Sequence, residues 1–327
     1  MIKILYCMRV RQHTDINMTI RHSYFLFASF IVLFLGVQYA TAEVSGNATS
    51  SPQVVPDNSK PLVFGVFPRR NSKDTIRLFT PIVELLEKEL GRKVILETTP
   101  DFESFWRVME QRRYDLVHFN QYHYIRSHKE QGYRVIVKNE EFGSDSIAGS
   151  IFVRKDSGLD SLQDLRGKKI VFGGGPTAMQ SYIIPAYLLA SAGLKESDYT
   201  KDYAISPPNA LYAVYYGHAD AGGAGNVVAS LPVVTQNIDT SELKELVSSK
   251  NGPQLPWAVR DDMPLELEKK IQSILVDLKD TQEGRYILAK ANLTGLTMAA
   301  DEQFDEHRKI IHQVLGEDYC IRNCDSN

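Results

Sequence analysis

Cysteine is scarce: the chain has 327 residues and three of them are Cys. Cys7 stands ahead of an apolar leader and is lost with it. Cys320 and Cys324 remain in a polar tail, where they could pair, stay free or bind a metal weakly, and none of these options touches the core. Basic charge is not in excess either: 37 Lys and Arg stand against 40 Asp and Glu, a net charge of -3. With no basic patch interleaved with aromatics, nucleic acid is not expected as a partner. Catalytic signatures are missing as well. There is no G-x-S-x-G, no H-E-x-x-H and no C-x-x-C, so an enzyme is not expected.

What is present begins with a leader. Arg21 and His22 precede an unbroken apolar run from Tyr24 to Val37, and Ala40-Thr41-Ala42 follows with the small residues that signal peptidase requires. Residues 1–42 therefore read as a cleaved secretory signal, with 1–17 as an upstream extension. An uncleaved anchor is the alternative, although the run is short for a membrane span. No Cys follows the run, which argues against lipid attachment. Residues 43–60, rich in Ser, Asn, Pro and Val without periodicity, read as a flexible tether.

From Pro61 apolar runs and helical periodicity alternate. Leu62–Phe67 predicts a strand, Lys73–Leu90 a helix stopped by Gly91, Lys93–Thr98 a strand, Phe102–Gln111 a helix, Asp115–Phe119 a strand and Tyr122–Glu130 a helix. Such a βα series builds a mainly parallel sheet covered by helices, with ligands at the loops beyond the strand ends. Those loops are Pro68-Arg69-Arg70, Pro100-Asp101-Phe102 and Asn120-Gln121-Tyr122. A second sheet pattern starts near Ser146. The chain then returns to the first lobe through Leu243–Ser248 and Pro256–Arg260, with crossings near Gly143–Ile147 and Thr235–Leu243. This gives one lobe from 61–146 and 236–319, another from 147–235, and a tail from 320–327.

The second lobe carries the stretch with the strongest ligand signal. Lys169–Phe172 reads as a strand, followed by Gly173-Gly174-Gly175-Pro176 and an apolar helix from about Thr177. The backbone N–H groups of Thr177 to Gln180 would lack intrahelical partners and suit an anion. Alternatively, the glycines only permit a tight connection. No Lys follows them and they are contiguous, so neither nucleotide fingerprint fits. Arg69 and Arg70 could bond an anion or simply be exposed loop residues. Phe102 and Phe119 could wall a cleft or sit in the core. Asp220 could meet ligand or cap its glycine loop. His118, His123 and His128 lack a Cys or paired carboxylate to complete a set, so no metal site is expected.

Several segments together resemble the periplasmic substrate-binding proteins of the phosphate/phosphite/phosphonate type. They are Gly65-Val66-Phe67-Pro68, Arg113-Tyr114-Asp115-Leu116-Val117, Ser150–Ser157, Asp164-Leu165-Arg166-Gly167-Lys168, Gly175-Pro176 with Pro185, and Tyr216-Gly217-His218-Ala219-Asp220-Ala221-Gly222. The resemblance spans Pro61 to Leu315. It implies an α/β two-lobed periplasmic-binding-protein type II fold, each lobe a mainly parallel sheet flanked by helices, joined by two crossover strands. It further implies an extracytoplasmic carrier that closes around a small anionic ligand and serves an ABC permease or, alternatively, a membrane sensor kinase. Two departures stand out. Ala178-Met179-Gln180 replaces the family's hydroxyl-rich Ser-Thr-Ser turn, and Pro207-Pro208-Asn209 lies near the position of a ligand-facing His. Residues and resemblance together nominate Pro68, Arg69, Phe102, Phe119, Asn120, Gln121, Tyr122, Ser150, Gly175, Thr177, Ala178, Met179, Gln180 and Asp220 as ligand contacts. No catalytic residue or cofactor is expected, and the carrier is expected to be a monomer.

The leader predicts that the exported protein starts at Glu43. Intact-mass measurement of secreted protein should find that N-terminus, and an exported chain still carrying Met18 would refute it.

Overall fold

A computed structural model describes residues 60–320. The expected leader, nearly all of the tether and the tail beyond Cys320 lie outside the described residues. Among the described residues no helix is long and apolar enough to cross a membrane.

The chain opens with β1 (Leu62–Val66), α1 (Ser72–Leu90), β2 (Val94–Thr98), α2 (Phe102–Glu110), β3 (Leu116–His118), α3 (Gln121–Gln131) and β4 (Arg134–Glu140). It crosses at β5 (Ser146–Ile147) and builds β6 (Gly149–Arg154), β7 (Lys169–Gly173), α4 (Ile184–Ser191), β8 (Thr200–Ala204), α5 (Pro207–Tyr215), β9 (Ala221–Gly225), α6 (Pro232–Thr235) and β10 (Leu243–Ser248). It returns at β11 (Gly252–Pro253) and ends with β12 (Pro256–Val259), α7 (Leu265–Asp277), α8 (Gln282–Lys290), β13 (Gly295–Met298) and α9 (Asp305–Leu315).

Local chemistry accounts for these elements. In α1 the apolar Leu78, Phe79, Ile82, Val83, Leu86 and Leu90 share one buried face. Asn71 caps its start by accepting from the Asp74 N–H at 2.9 Å, and Gly91 ends it in the left-handed region. Asn120 caps α3 in the same way through the His123 N–H. Both caps lie in the loops that follow β1 and β3, so the helix starts that flank the cleft are fixed by side chains of the loops themselves.

Two sheets result, in the orders β13-β4-β12-β3-β1-β2 and β10-β6-β9-β7-β8. In the first, β12 runs antiparallel to β3 and β4, and β13 antiparallel to β4. In the second only β6 is reversed. Most strands in each sheet are thus parallel, and helices cover them. The two crossings lie side by side as a short antiparallel ribbon, Gly252 opposite Ile147 and Pro253 opposite Ser146. The last helix, α9, packs on α3 of the first lobe and on α4 of the second.

The return to the first lobe is later than the sequence pattern suggests. Leu243–Ser248 does not rejoin the first sheet; as β10 it pairs antiparallel with β6, Leu243 opposite Arg154 and Ser248 opposite Ser150. The reason is apolar: Leu243 is buried with Phe152, Val228, Leu231 and Ile238 in a cluster that belongs to the second lobe. The second crossing is therefore β11 rather than Thr235–Leu243, and residues 236–248 belong with 147–235. Two strands of the first sheet, β4 and β13, have no counterpart in the sequence reading. At the chain's end, Cys320 is disulfide-bonded, so the free-thiol and metal alternatives fall for it.

The first lobe is centred on Trp257, fully buried on β12. Its indole N–H donates to Asn139 Oδ1 at 2.7 Å, and its ring packs 5.0 Å from those of Phe64 and His118. Trp257→Ala should cost about 3–5 kcal/mol through the cavity left behind and the orphaned Asn139 carbonyl. Urea unfolding followed by circular dichroism checks this, and a loss below about 1 kcal/mol would contradict the packing described.

Candidate functional site

The π-helical turn Met179–Ile183 leads directly into α4 and rests on β9. The glycine-rich strand makes that approach possible: a Cβ at Gly223 would stand 2.2 Å from the Ser181 carbonyl oxygen. The first donors to bond back within this helix are the N–H groups of Tyr182 and Ile183, both to the Ala178 carbonyl. The N–H groups of Met179, Gln180 and Ser181 precede them and have no intrahelical acceptor. The helix starts at Met179, two residues later than the glycine loop suggests, and its first turn is π rather than α, a form common at functional sites.

Those three residues line a small cavity of about 40 Å³ between the lobes. Its walls include Phe67, Arg69, Phe102, Asn120 and Gln121 from the first lobe, and Ala178, Met179, Gln180 and Ser181 from the second. Ile147 and Leu255, on or beside the crossings, close one side, and Pro207, Gly225 and Val228 complete it. Most of the lining is apolar, and the polar groups converge. Gln121 is fully buried and donates to the Pro253 carbonyl at 3.0 Å, leaving its Oε1 without a partner. Gln180 is 7% exposed, its Nε2 lies 3.5 Å from His307 Nε2, and its Oε1 also lacks a partner. Across the cavity Asn120 Nδ2 donates to the Thr177 carbonyl at 3.3 Å, a hydrogen bond from one lobe to the other.

Arg69 enters the cavity with its charge already answered. Its guanidinium holds Glu141 in a two-pronged pair, at 2.6 and 3.2 Å, and Asn139 donates to the same carboxylate at 2.9 Å. Burial works to raise the Glu141 carboxyl, but Arg69, Arg70 and Asn139 together hold it below its ordinary value. Glu141 is absent from the sequence nominations. It follows β4, the strand the sequence did not reveal, and its partner is 72 residues away.

Of the nominated residues, Arg69, Phe102, Asn120, Gln121, Ala178, Met179 and Gln180 meet around this cavity, with the Thr177 carbonyl at its edge. Pro68 lies in a neighbouring wider cavity. The others are elsewhere. Phe119 packs in the core against Phe105, Tyr124 and Tyr133. The Tyr122 hydroxyl turns to Glu317, at 2.8 Å. The Ser150 hydroxyl bonds Glu245 and Ser248 on β10. Asp220 sits just before β9, which runs parallel to β7, so it lies at the strand starts, opposite the glycine loop; there it accepts from the Lys169 N–H at 2.8 Å. Gly175 faces open space, and its role is its φ of 85°. The close approach is at Gly174, where a Cβ would meet the Phe102 ring at 2.9 Å.

The three histidines noted in the sequence are apart. His118 sits within a cage of Phe67, Phe79 and Trp257 rings, His123 stacks on Phe102 and Trp106, and His128 bonds the Tyr133 carbonyl. Among the described residues no group of three or more His, Cys, Asp or Glu is placed to hold a metal.

Residues 64–304 match the family model described as the periplasmic substrate-binding protein of phosphonate ABC transporters. The chain belongs to this family. It is 22% identical over 277 residues to the phosphonates-binding periplasmic protein of Escherichia coli, covering 83% of this chain and 81% of that one. It is 21% identical over 281 residues to the phosphate-import protein of Mycolicibacterium smegmatis, covering 79% and 87%. Its structure is similar to that of a Prochlorococcus marinus protein solved in complex with methylphosphonate, with a TM-score of 0.71, 18% identity and coverage of 79% and 99%. The family's two-lobed periplasmic-binding fold is thus the fold of this chain, and its relatives are substrate-binding transport proteins rather than enzymes.

In this family member the ground beneath the cavity is sensitive to acid. Burial pushes His123 down to about 3, helped by Arg126, and His307 down to about 4, helped by Arg308. His118 is driven well below its ordinary 6.5 by burial and by Arg69 and Arg70. Folded values below unfolded ones mean that the unfolded chain binds protons first. Stability is therefore complete above about pH 6.5 and is lost as pH falls from there toward the folded values, by about 1.4 kcal/mol per pH unit for each histidine. Urea titrations between pH 7 and 5 should show this slope, and His123→Phe, which keeps the stacking, should lower it by about a third. An unaltered slope in that variant would place the proton uptake elsewhere.

Proposed function

We propose that this protein captures a small oxyanion of the phosphonate, phosphite and phosphate group outside the cytoplasm and delivers it, as a monomer, to an ABC permease. The observation that carries the reading is the convergence, in one interlobe cavity, of three residues at a helix start whose N–H groups lack an intrahelical acceptor with the buried amide of Gln180. The cavity volume of about 40 Å³, room for a few waters, limits the ligand there to a small head group. Membership in a transport family supports delivery to a permease over presentation to a sensor kinase.

The anion would accept from the N–H groups of Met179, Gln180 and Ser181, with the positive end of the helix dipole behind them. Gln180 joins after a half-turn of its amide: Oε1 then accepts from His307 Nε2–H, and both Nε2 protons face the anion. Ala178, Met179 and Phe102 supply an apolar wall for the substituent of a phosphonate. The hydroxyl donors of the usual turn are replaced here by backbone and amide donors.

Calorimetry with phosphate, phosphite and methylphosphonate tests the reading. At least one should bind, and Gln180→Ala should weaken it by about 10- to 100-fold, the worth of a hydrogen bond to a charged group. Failure of all three to bind, or equal affinity in Gln180→Ala, would overturn it.

A further inference from the structure

Arg69 and Arg70 are neighbours at the end of β1, yet their circumstances differ. Arg69 is engaged by Glu141. Arg70 makes no hydrogen bond and no ion pair with any described residue. It is nonetheless half-buried, and loss of water together with the adjacent Arg69 charge pushes its guanidinium down to about 10. Proteins rarely withdraw an arginine from water without giving it an acceptor. The neighbouring carboxylates do not serve: Glu141 is held by Arg69 and Asn139, and Asp74 by Asn71 and Arg77.

Arg70 lines a second, wider cavity of about 700 Å³ between the lobes. Its opposite wall comes from the second lobe and includes Asn209, Tyr212 and Gln236, with no carboxylate among its lining residues on that side. The side-chain amides of Asn209 and Gln236 are uncommitted to any described residue. Arg69 borders this cavity and the inner one alike, so the two compartments meet at its side chain.

We propose that Arg70 receives a second acidic group of the ligand. This rests on the inner cavity seating the phosphonate or phosphate head, and it narrows the substrate class. The preferred ligands carry a carboxylate or a second phosphoryl group a few bonds from that head, reaching past Arg69 to the planar fork of Arg70, which matches either group with two hydrogen bonds. Asn209 and Gln236 face the same group from the other lobe. Inorganic phosphate, phosphite and simple alkylphosphonates fill the inner compartment and leave Arg70 unused.

Calorimetry of 3-phosphonopropionate against propylphosphonate reads this directly, because the two differ by the terminal acid. Wild-type protein should bind the diacid at least about tenfold more tightly. Arg70→Gln should abolish that advantage while leaving propylphosphonate affinity unchanged, and Arg70→Lys should keep part of it. The melting temperature of ligand-free Arg70→Gln should not fall, since a desolvated charge without a partner is removed. Equal binding of the two ligands by wild type, or an advantage that survives in Arg70→Gln, would overturn the second subsite while the seating of the head stands. If neither ligand binds, the second subsite fails, and the seating of the head is then decided by phosphate, phosphite and methylphosphonate.

Discussion

Burying a guanidinium requires an answering charge, and the pair of Arg69 with Glu141 supplies it at the point where the first sheet meets the crossings. Arg69 comes from the loop after β1 and Glu141 from the residue after β4, so the pair ties two strand ends that are not neighbours in the sheet. Removing either partner would strand the other in a region with little water, a loss of about 3–5 kcal/mol. The pair also sets the electrostatics of the cleft. With Arg69 neutralised, an anion in the inner cavity would, on the function proposed above, be held by oriented N–H dipoles and the Gln180 amide, and an unpaired positive charge lies one residue further on, at Arg70.

That arrangement fits a site which has exchanged hydroxyl side chains for backbone. N–H groups at a helix start are fixed by the fold and cost nothing to orient, whereas serine and threonine hydroxyls must be held in one rotamer. The price is dependence on the packing beneath: the π turn keeps its position only because β9 carries Gly223 where a side chain would strike the Ser181 carbonyl.

Much of the fold was legible because its signals are local. Asn71 and Asn120 cap helices that follow strands, Gly91 ends one, and the apolar face of α1 repeats at helical spacing. The segment after the glycine loop and the turn after β3 were found for the same reason, and they supply Ala178 to Ser181 and Asn120 and Gln121 to the cavity wall. What was not legible depends on distant partners. β10 has the composition of either sheet, and only its contact with Phe152 and Ile238 assigns it to the second lobe. Ser150 and Tyr122 lie in promising segments, but their hydroxyls are claimed by Glu245 and Glu317. Glu141 carries no motif at all, and no pattern within a few residues of it announces Arg69. Strand direction misled at Asp220, since a loop beside a strand says nothing about which end of the sheet it occupies.

The crossings form a ladder of two rungs, Gly252 with Ile147 and Pro253 with Ser146. Strands paired in this way cannot turn independently, because a dihedral change in one must be matched by the other or the rungs break. Such a ribbon bends readily across its face and resists shear along its length. A relative movement of the lobes on this ribbon would come closest to rotation about one axis, and it would have to carry with it α9, seated on both lobes, and break the bond from Asn120 to Thr177.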